Sequence, residues 1–179
     1  MSIELAKTDD IAELVELVNS AYRGEHSKKG WTHEADLLQG GVRVLPEDVK
    51  GMIQSTESIV LKCLDDQGRI IGCVYLKEEG DHIYLGMLTV NPLLQGGGIG
   101  KTLLQAAEAY ALEKNKIAIE MTVISVRDEL INWYIRNGYQ PTGRSAPFPY
   151  RPGYGEPSQE LSFIVLRKEL ATTSTADNT

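Results

Sequence analysis

From Tyr84 to Glu113 the chain reads YLGMLTVNPLLQGGGIGKTLLQAAEAYALE, and this stretch passes from a strand pattern through a glycine loop into a helix pattern. Ile83 to Val90 is an apolar run that Asn91 and Pro92 bring to an end. Leu103, Leu104, Ala107, Tyr110 and Ala111 then recur on one face of a helix that runs to about Lys114. Between them lies Gln95-Gly96-Gly97-Gly98-Ile99-Gly100-Lys101-Thr102. Glycines in that position let backbone N–H groups converge at the positive end of the following helix, a geometry that suits an anion and above all a phosphate. A tight turn without a ligand is the plainer reading, but three glycines in a row carry a heavy entropic cost for a turn alone.

Working outward, Ile117 to Ile124 is a second long apolar strand, so strand, loop, helix and strand make a βαβ unit. Upstream, Ile3 and Leu5 alternate as a short strand, and Ile11, Leu14, Val15, Val18 and Tyr22 repeat at helical spacing behind Thr8, Asp9 and Asp10. Glycines interrupt residues 24 to 45, where a short helix from Thr32 to Leu38 is the most that can be drawn. Pro46 opens a short helix carrying Val49, Met52 and Ile53. Ser58 to Leu64 and Arg69 to Leu76 form a hairpin turned by Asp65 to Gly68. Downstream, Leu130, Ile131, Tyr134 and Ile135 share a helix face that Gly138 closes as a C-terminal cap. Residues 141 to 158 read as a long aromatic and proline-rich loop, and Glu160 to Arg167 as a last strand.

Composition bounds the rest. At 179 residues and 42% apolar the chain suits one domain, taken as residues 1–170, with 171–179 a polar, disordered tail. Eighteen Lys and Arg against 25 Asp and Glu, a net charge of −7, argue against nucleic acid as a partner. No apolar run approaches membrane length and MSIELAKTDD has no signal-peptide character, so a cytoplasmic location without membrane contact is expected. Cys63 and Cys73 read as buried thiols, and His26, His33 and His82 are too scattered for a metal site.

Two phosphate-loop patterns compete for the glycines. Gly-x-x-x-x-Gly-Lys-Ser/Thr, found in nucleotide hydrolases, is met at Gly100, Lys101 and Thr102, yet its first glycine would fall on Gln95. The next strand, IAIEMTVI, also ends without the aspartate that would hold magnesium. The second pattern, Gln/Arg-x-x-Gly-x-Gly/Ala, is satisfied by Gln95, Gly98 and Gly100, and with it the segment Tyr84–Glu113 resembles the coenzyme A motif of the GNAT N-acetyltransferases. The order of elements over most of the chain, through the helix ending WYIRNGY, is similar to that family as well.

The resemblance implies an α/β GNAT fold: a mixed, mostly antiparallel sheet of about seven strands with helices on both faces. It implies transfer of an acetyl group from acetyl-CoA, with no metal, to an amine of a small molecule or peptide. Pantetheine would pair with backbone near Leu88 and Val90, and Gln95, Gly96, Gly97, Gly98, Gly100 and Lys101 would hold the pyrophosphate. The Leu88 N–H would stabilise the oxyanion, and Tyr134 would serve the departing sulfur; its plainer role is a core tyrosine. Dimerisation is an expectation that rests on the resemblance alone. A non-catalytic acyl-CoA sensor of the same fold is the alternative from another class.

Arg127 and Met87 stand where many relatives carry asparagine and glutamate, so the usual general base is missing. His33, Glu34, Asp36 and Glu120 are its replacements, if any side chain is, although each also reads as a solvated surface group. Trp31, Tyr22, Phe148 and Tyr150 are expected to line the acceptor site or to pack loops. Arg127, Arg144 and Arg151 are suited to clamp an acid on the acceptor or to sit at the surface.

Overall fold

A computed structural model of the chain describes residues 1–28 and 33–171, without the side chains of Glu25 and His26. The elements in order are β1 (Ser2–Leu5), α1 (Ile11–Tyr22), α2 (Gly24–Ser27), β2 (Leu38–Gln39), α3 (Pro46–Gln54), β3 (Ser58–Leu64), β4 (Ile70–Glu79), β5 (His82–Val90), α4 (Ile99–Glu113), β6 (Ala118–Ile124), α5 (Asp128–Arg136), β7 (Gln140–Pro147), β8 (Glu156–Pro157) and β9 (Ser162–Glu169). Seven strands form one sheet in the order β1-β3-β4-β5-β6-β9-β7, and β2 pairs with β8 in a separate ribbon. Among the described residues only β5 and β6 run parallel, and the other pairings are antiparallel. This is the mixed, mostly antiparallel α/β GNAT architecture.

Helices cover both faces, which is why β4 is buried along most of its length rather than at alternate residues. On one face Leu103, Leu104, Ala107 and Ala111 of α4 and Leu130 and Tyr134 of α5 pack with Leu76, Leu85, Ile119 and Met121. On the other, Leu14, Val18 and Ala21 of α1 and Val49 of α3 meet Val60, Cys73 and Met87. Cys63 belongs to the first layer and Cys73 to the second, so these buried free thiols stand on opposite sides of the sheet and do not bridge. No helix of the described residues is long and apolar enough to cross a membrane.

Several local readings hold. Asp65 Oδ1 accepts the N–H groups of Gln67 and Arg69, which turns the β3–β4 hairpin. Gly138, at φ +98°, ends α5: its N–H reaches Ile135 O and that of Tyr139 reaches Tyr134 O. Two readings need correction. The segment expected to be a long loop contains β7, paired with β9 at the edge of the sheet. An edge strand tolerates Pro141 and Pro147 because its outer N–H groups need no partner. The short helix drawn from Thr32 to Leu38 is a single turn, closed by the N–H groups of Leu37 and Leu38 on Glu34 O, that leads into β2. Thr32 itself, and the tail from 172 to 179, lie outside the described residues.

Candidate active site

The site begins where two neighbouring strands part. β5 and β6 pair only from His82–Ala118 to Tyr84–Glu120, and beyond that point they diverge. An irregularity in β5 drives the divergence. The register on β4 steps from Tyr75–Gly86 to Cys73–Thr89, so β5 carries one residue more than its partner. Met87 takes up the excess at φ +55°, a left-handed conformation unusual for a long side chain. Such bulges bend a strand and re-aim the groups that follow. Past the bulge the Asn91 N–H faces Ile71 O on β4, so by alternation the backbone groups of Val90 and Leu88 face the gap toward β6.

Both carbonyls are already engaged: Leu88 O accepts the buried Tyr22 hydroxyl, and Val90 O accepts Gln95 Nε2 at 3.2 Å. The N–H groups are therefore the ones available in the gap. Burial pushes the Tyr22 phenol up to about 12, which keeps it a neutral donor.

Two clefts meet at Leu88. The larger, about 780 Å³, runs between the glycine loop and α5. Leu88, Val90, Gln95, Gly96, Gly98, Gly100 and Lys101 line it, with Trp133, Arg136 and Asn137 opposite; Gly97 is not among its lining residues. Gly98, at φ +84°, is the N-cap of α4, and the first intrahelical bond runs from Thr102 N–H to Gly98 O. The N–H groups of Ile99, Gly100 and Lys101 thus lie at the open end of the helix, where negative charge is stabilised. Gly100 keeps the passage open for a different reason: a Cβ there would stand 3.2 Å from the Trp133 ring.

The smaller cleft, about 210 Å³, continues from Leu88 along the gap between the strands. Tyr134 is buried in its wall, and among the described residues its hydroxyl has no hydrogen-bond partner. Burial, chiefly, with the neighbouring Tyr22 and Tyr139 adding to it, raises its pKa well above 10.0, so the phenol remains protonated. Tyr22, Arg127, Phe148 and Arg151 also line this cleft, as the sequence suggested. Tyr150 does not: it is exposed and donates to Glu156. Trp31 lies outside the described residues.

The candidate bases fare differently. Glu34 lines the small cleft, but its Oε1 lies 3.1 Å from Arg23 Nε and its Oε2 3.7 Å from Arg127 Nη1. Asp36 is exposed and pairs with Lys28, and neither it nor His33 lines either cleft. Glu120 is no surface group: it is buried between Arg144 and Arg167, at 2.6 and 2.7 Å. Those partners hold its carboxyl below the usual range in spite of burial, and they remove Arg144 from the acceptor side.

Sequence reading missed Arg23, Arg43, Tyr84 and Tyr154, which also line the small cleft. They come together because residues 24–45 and 141–158 dock on each other. Val42 N–H reaches Gly153 O, Arg23 donates to the carbonyls of Val42 and Tyr154, and β2 pairs with β8. The glycines on both sides hinted at this close approach: a Cβ on Gly41 would lie 2.3 Å from Gly155 N.

The chain belongs to the acetyltransferase (GNAT) family, whose model matches residues 11–139. Among solved structures it is similar to the ribosomal-protein-S18-alanine N-acetyltransferase of Escherichia coli, with TM-score 0.69 and 12% identity over 98% of this chain and 99% of that one. A GNAT acetyltransferase from Staphylococcus aureus gives TM-score 0.66 and 16% identity over 95% and 99%. A protein described as a streptothricin acetyltransferase, from Bacillus anthracis and in complex with acetyl coenzyme A, gives 0.58 and 20% over 68% of each chain. At these identities the likeness is one of fold. No curated protein matches the sequence at a significant level.

Proposed function

We propose that this chain transfers an acetyl group from acetyl-CoA to the amine of a small molecule or peptide by direct attack on the thioester. The observation that carries the reading is the meeting of the two clefts at Leu88, one ending at the N-terminus of α4 and the other walled by a neutral tyrosine whose hydroxyl has no partner among the described residues.

The larger cleft fits coenzyme A. The N–H groups at the start of α4 would receive the pyrophosphate, with Lys101 beside them, and the freed N–H groups of Val90 and Leu88 would receive the pantetheine arm. Bound there, acetyl-CoA supplies an acetyl group activated as a thioester. The Leu88 N–H would donate to the carbonyl oxygen as negative charge builds on it. Tyr22, by holding Leu88 O, fixes the peptide unit that follows Leu88 and steadies the bulge. As the carbon–nitrogen bond forms and the carbon–sulfur bond breaks, the Tyr134 hydroxyl would give its proton to the sulfur. The nitrogen's surplus proton leaves to water and a proton from water restores the Tyr134 phenol, whose raised pKa favours its return, so the products are an acetamide and free thiol.

Calorimetric titration with acetyl-CoA, with ATP and magnesium as the control, tests the reading. Saturable binding of acetyl-CoA followed by amine-dependent thiol release is expected. Binding without turnover of any amine would make the chain an acyl-CoA sensor, and binding of ATP alone would remove the assignment.

A further inference from the structure

Charge divides unevenly in this molecule. The chain carries a net −7, yet the charged residues lining the small cleft are Arg23, Arg43, Arg127 and Arg151 against the single carboxylate of Glu34. Arg23 and Arg127 are both buried and both face that one carboxylate. Arg43 stacks on the Tyr22 ring at 5.3 Å and Arg151 on that of Tyr154 at 4.2 Å, and among the described residues neither has a carboxylate partner. Buried and half-buried charge of one sign is costly unless a counter-charge arrives. Glu34 supplies it for Arg23 and Arg127, and among the described residues lining the cleft no carboxylate is left for the half-buried Arg43.

We propose that the acceptor is a small amine that also carries an acidic group, a carboxylate or a phosphonate or phosphate, and that Arg43 and Arg151 receive that group while the amine points to Leu88. The inference rests on the acetyl-transfer reading given above. The placement follows from exposure. Arg151 is exposed and Arg43 half-buried, so they mark the outer part of the cleft, whereas Leu88 and Tyr134 are buried at its inner part. A guanidinium presents paired donors that match either acid. A volume near 210 Å³ admits a small amino acid or aminoalkyl phosphonate. The same charges disfavour a second ammonium, so a diamine should be a poorer acceptor than an acid-bearing amine.

The experiment compares matched acceptors with the full chain and acetyl-CoA: 3-aminopropanoate against 3-aminopropanamide, 2-aminoethylphosphonate against 2-aminoethanol, and 1,4-diaminobutane as the cationic case. Calorimetry without acyl donor measures binding of each amine, and thiol release measures kcat and KM. The acid-bearing member of at least one pair should exceed its neutral partner about tenfold or more, as a charged hydrogen bond allows. Which pair responds separates carboxylate from phosphonate. Arg43→Gln with Arg151→Gln should erase the preference through KM while acetyl-CoA affinity holds. Equal or better use of the neutral amines or the diamine would overturn the inference. So would a preference that survives the double substitution, or the absence of acid-dependent binding and turnover in a protein that binds acetyl-CoA. A protein that fails to bind acetyl-CoA overturns the acetyl-transfer reading itself, and the inference with it.

Discussion

Replacing Tyr134 by phenylalanine removes one oxygen and little else, which makes it the sharpest test of the chemistry. The ring packs edge-on against Trp133 at 5.1 Å and Tyr139 at 5.8 Å, and phenylalanine keeps both contacts. Because the hydroxyl has no protein partner among the described residues, its loss forfeits no hydrogen bond. Stability should therefore not fall, and can rise by about 1 kcal/mol, because a buried hydroxyl without a partner costs stability instead of adding to it. Catalysis should respond quite differently. A positioned proton donor contributes about 10² to 10⁴ in rate, equivalent to roughly 3 to 5 kcal/mol of barrier. Thiol release followed continuously at saturating acetyl-CoA gives kcat, calorimetry gives acetyl-CoA affinity, and thermal unfolding gives stability. A fall in kcat of about a hundredfold or more, with affinity held and stability not reduced, is the expected pattern for a group that acts only as sulfur departs. If kcat stays within about threefold of the parent, Tyr134 is a packing residue and the proposed acid is elsewhere.

Gly98→Val should weaken acetyl-CoA binding about 5- to 30-fold by strain alone, since φ +84° costs an ordinary residue roughly 1 to 2 kcal/mol while its Cβ meets open space; unchanged calorimetric affinity would refute the loop assignment. Tyr22→Phe strips Leu88 O of its partner, so it should destabilise the fold by about 1 to 3 kcal/mol and lower kcat as well, measured by denaturant unfolding and thiol release. Glu120→Gln should cost about 1 to 3 kcal/mol of stability while leaving turnover intact, because it breaks the pairs to Arg144 and Arg167 outside both clefts. The sign of its pH dependence follows from a folded pKa below the ordinary 4.5: the contribution is present above that value and fades as pH falls through the lowered one, and unfolding of parent and variant at pH 7 and pH 3 would show whether they converge.

What could be read from sequence is what short-range spacing encodes. Gln95, Gly98 and Gly100 announce the loop because a strand, a turn and a helix N-terminus are local events, and Tyr134 could be placed because its spacing from Leu130 and Ile131 sets its helix face. β7 was not legible: Pro141, Gly143 and Pro147 carry the chemistry of a loop, and only pairing with β9 at the sheet edge makes them a strand. Glu120 looked solvated because nothing near it in sequence shows that Arg144 and Arg167 will close over it. The small cleft was the hardest part. Arg23, Arg43, Arg127 and Arg151 are neighbours only through the docking of two irregular segments, and the glycines that permit it read as punctuation until their backbones are seen in contact.

The charge of that cleft bears on the missing general base. Glu34 is the carboxylate in its wall, and both of its oxygens face guanidinium groups. An acceptor that enters as an ammonium must lose a proton, and surrounding positive charge favours that loss by lowering the amine's pKa. On the proposed reading the arginines would act on the acceptor itself, and water would accept the proton. The pH dependence should then belong to the amine: kcat/KM should rise with pH, and its midpoint should move when one acceptor is exchanged for another of different intrinsic pKa. Tyr134 sets no alkaline limit in that range, because its raised pKa keeps the phenol protonated up to and beyond its ordinary 10.0. A rising limb whose midpoint stays fixed whatever the acceptor would assign the proton to a group on the protein. Glu34 would then be the residue to replace, since it alone among the suggested bases reaches the cleft where the amine must react.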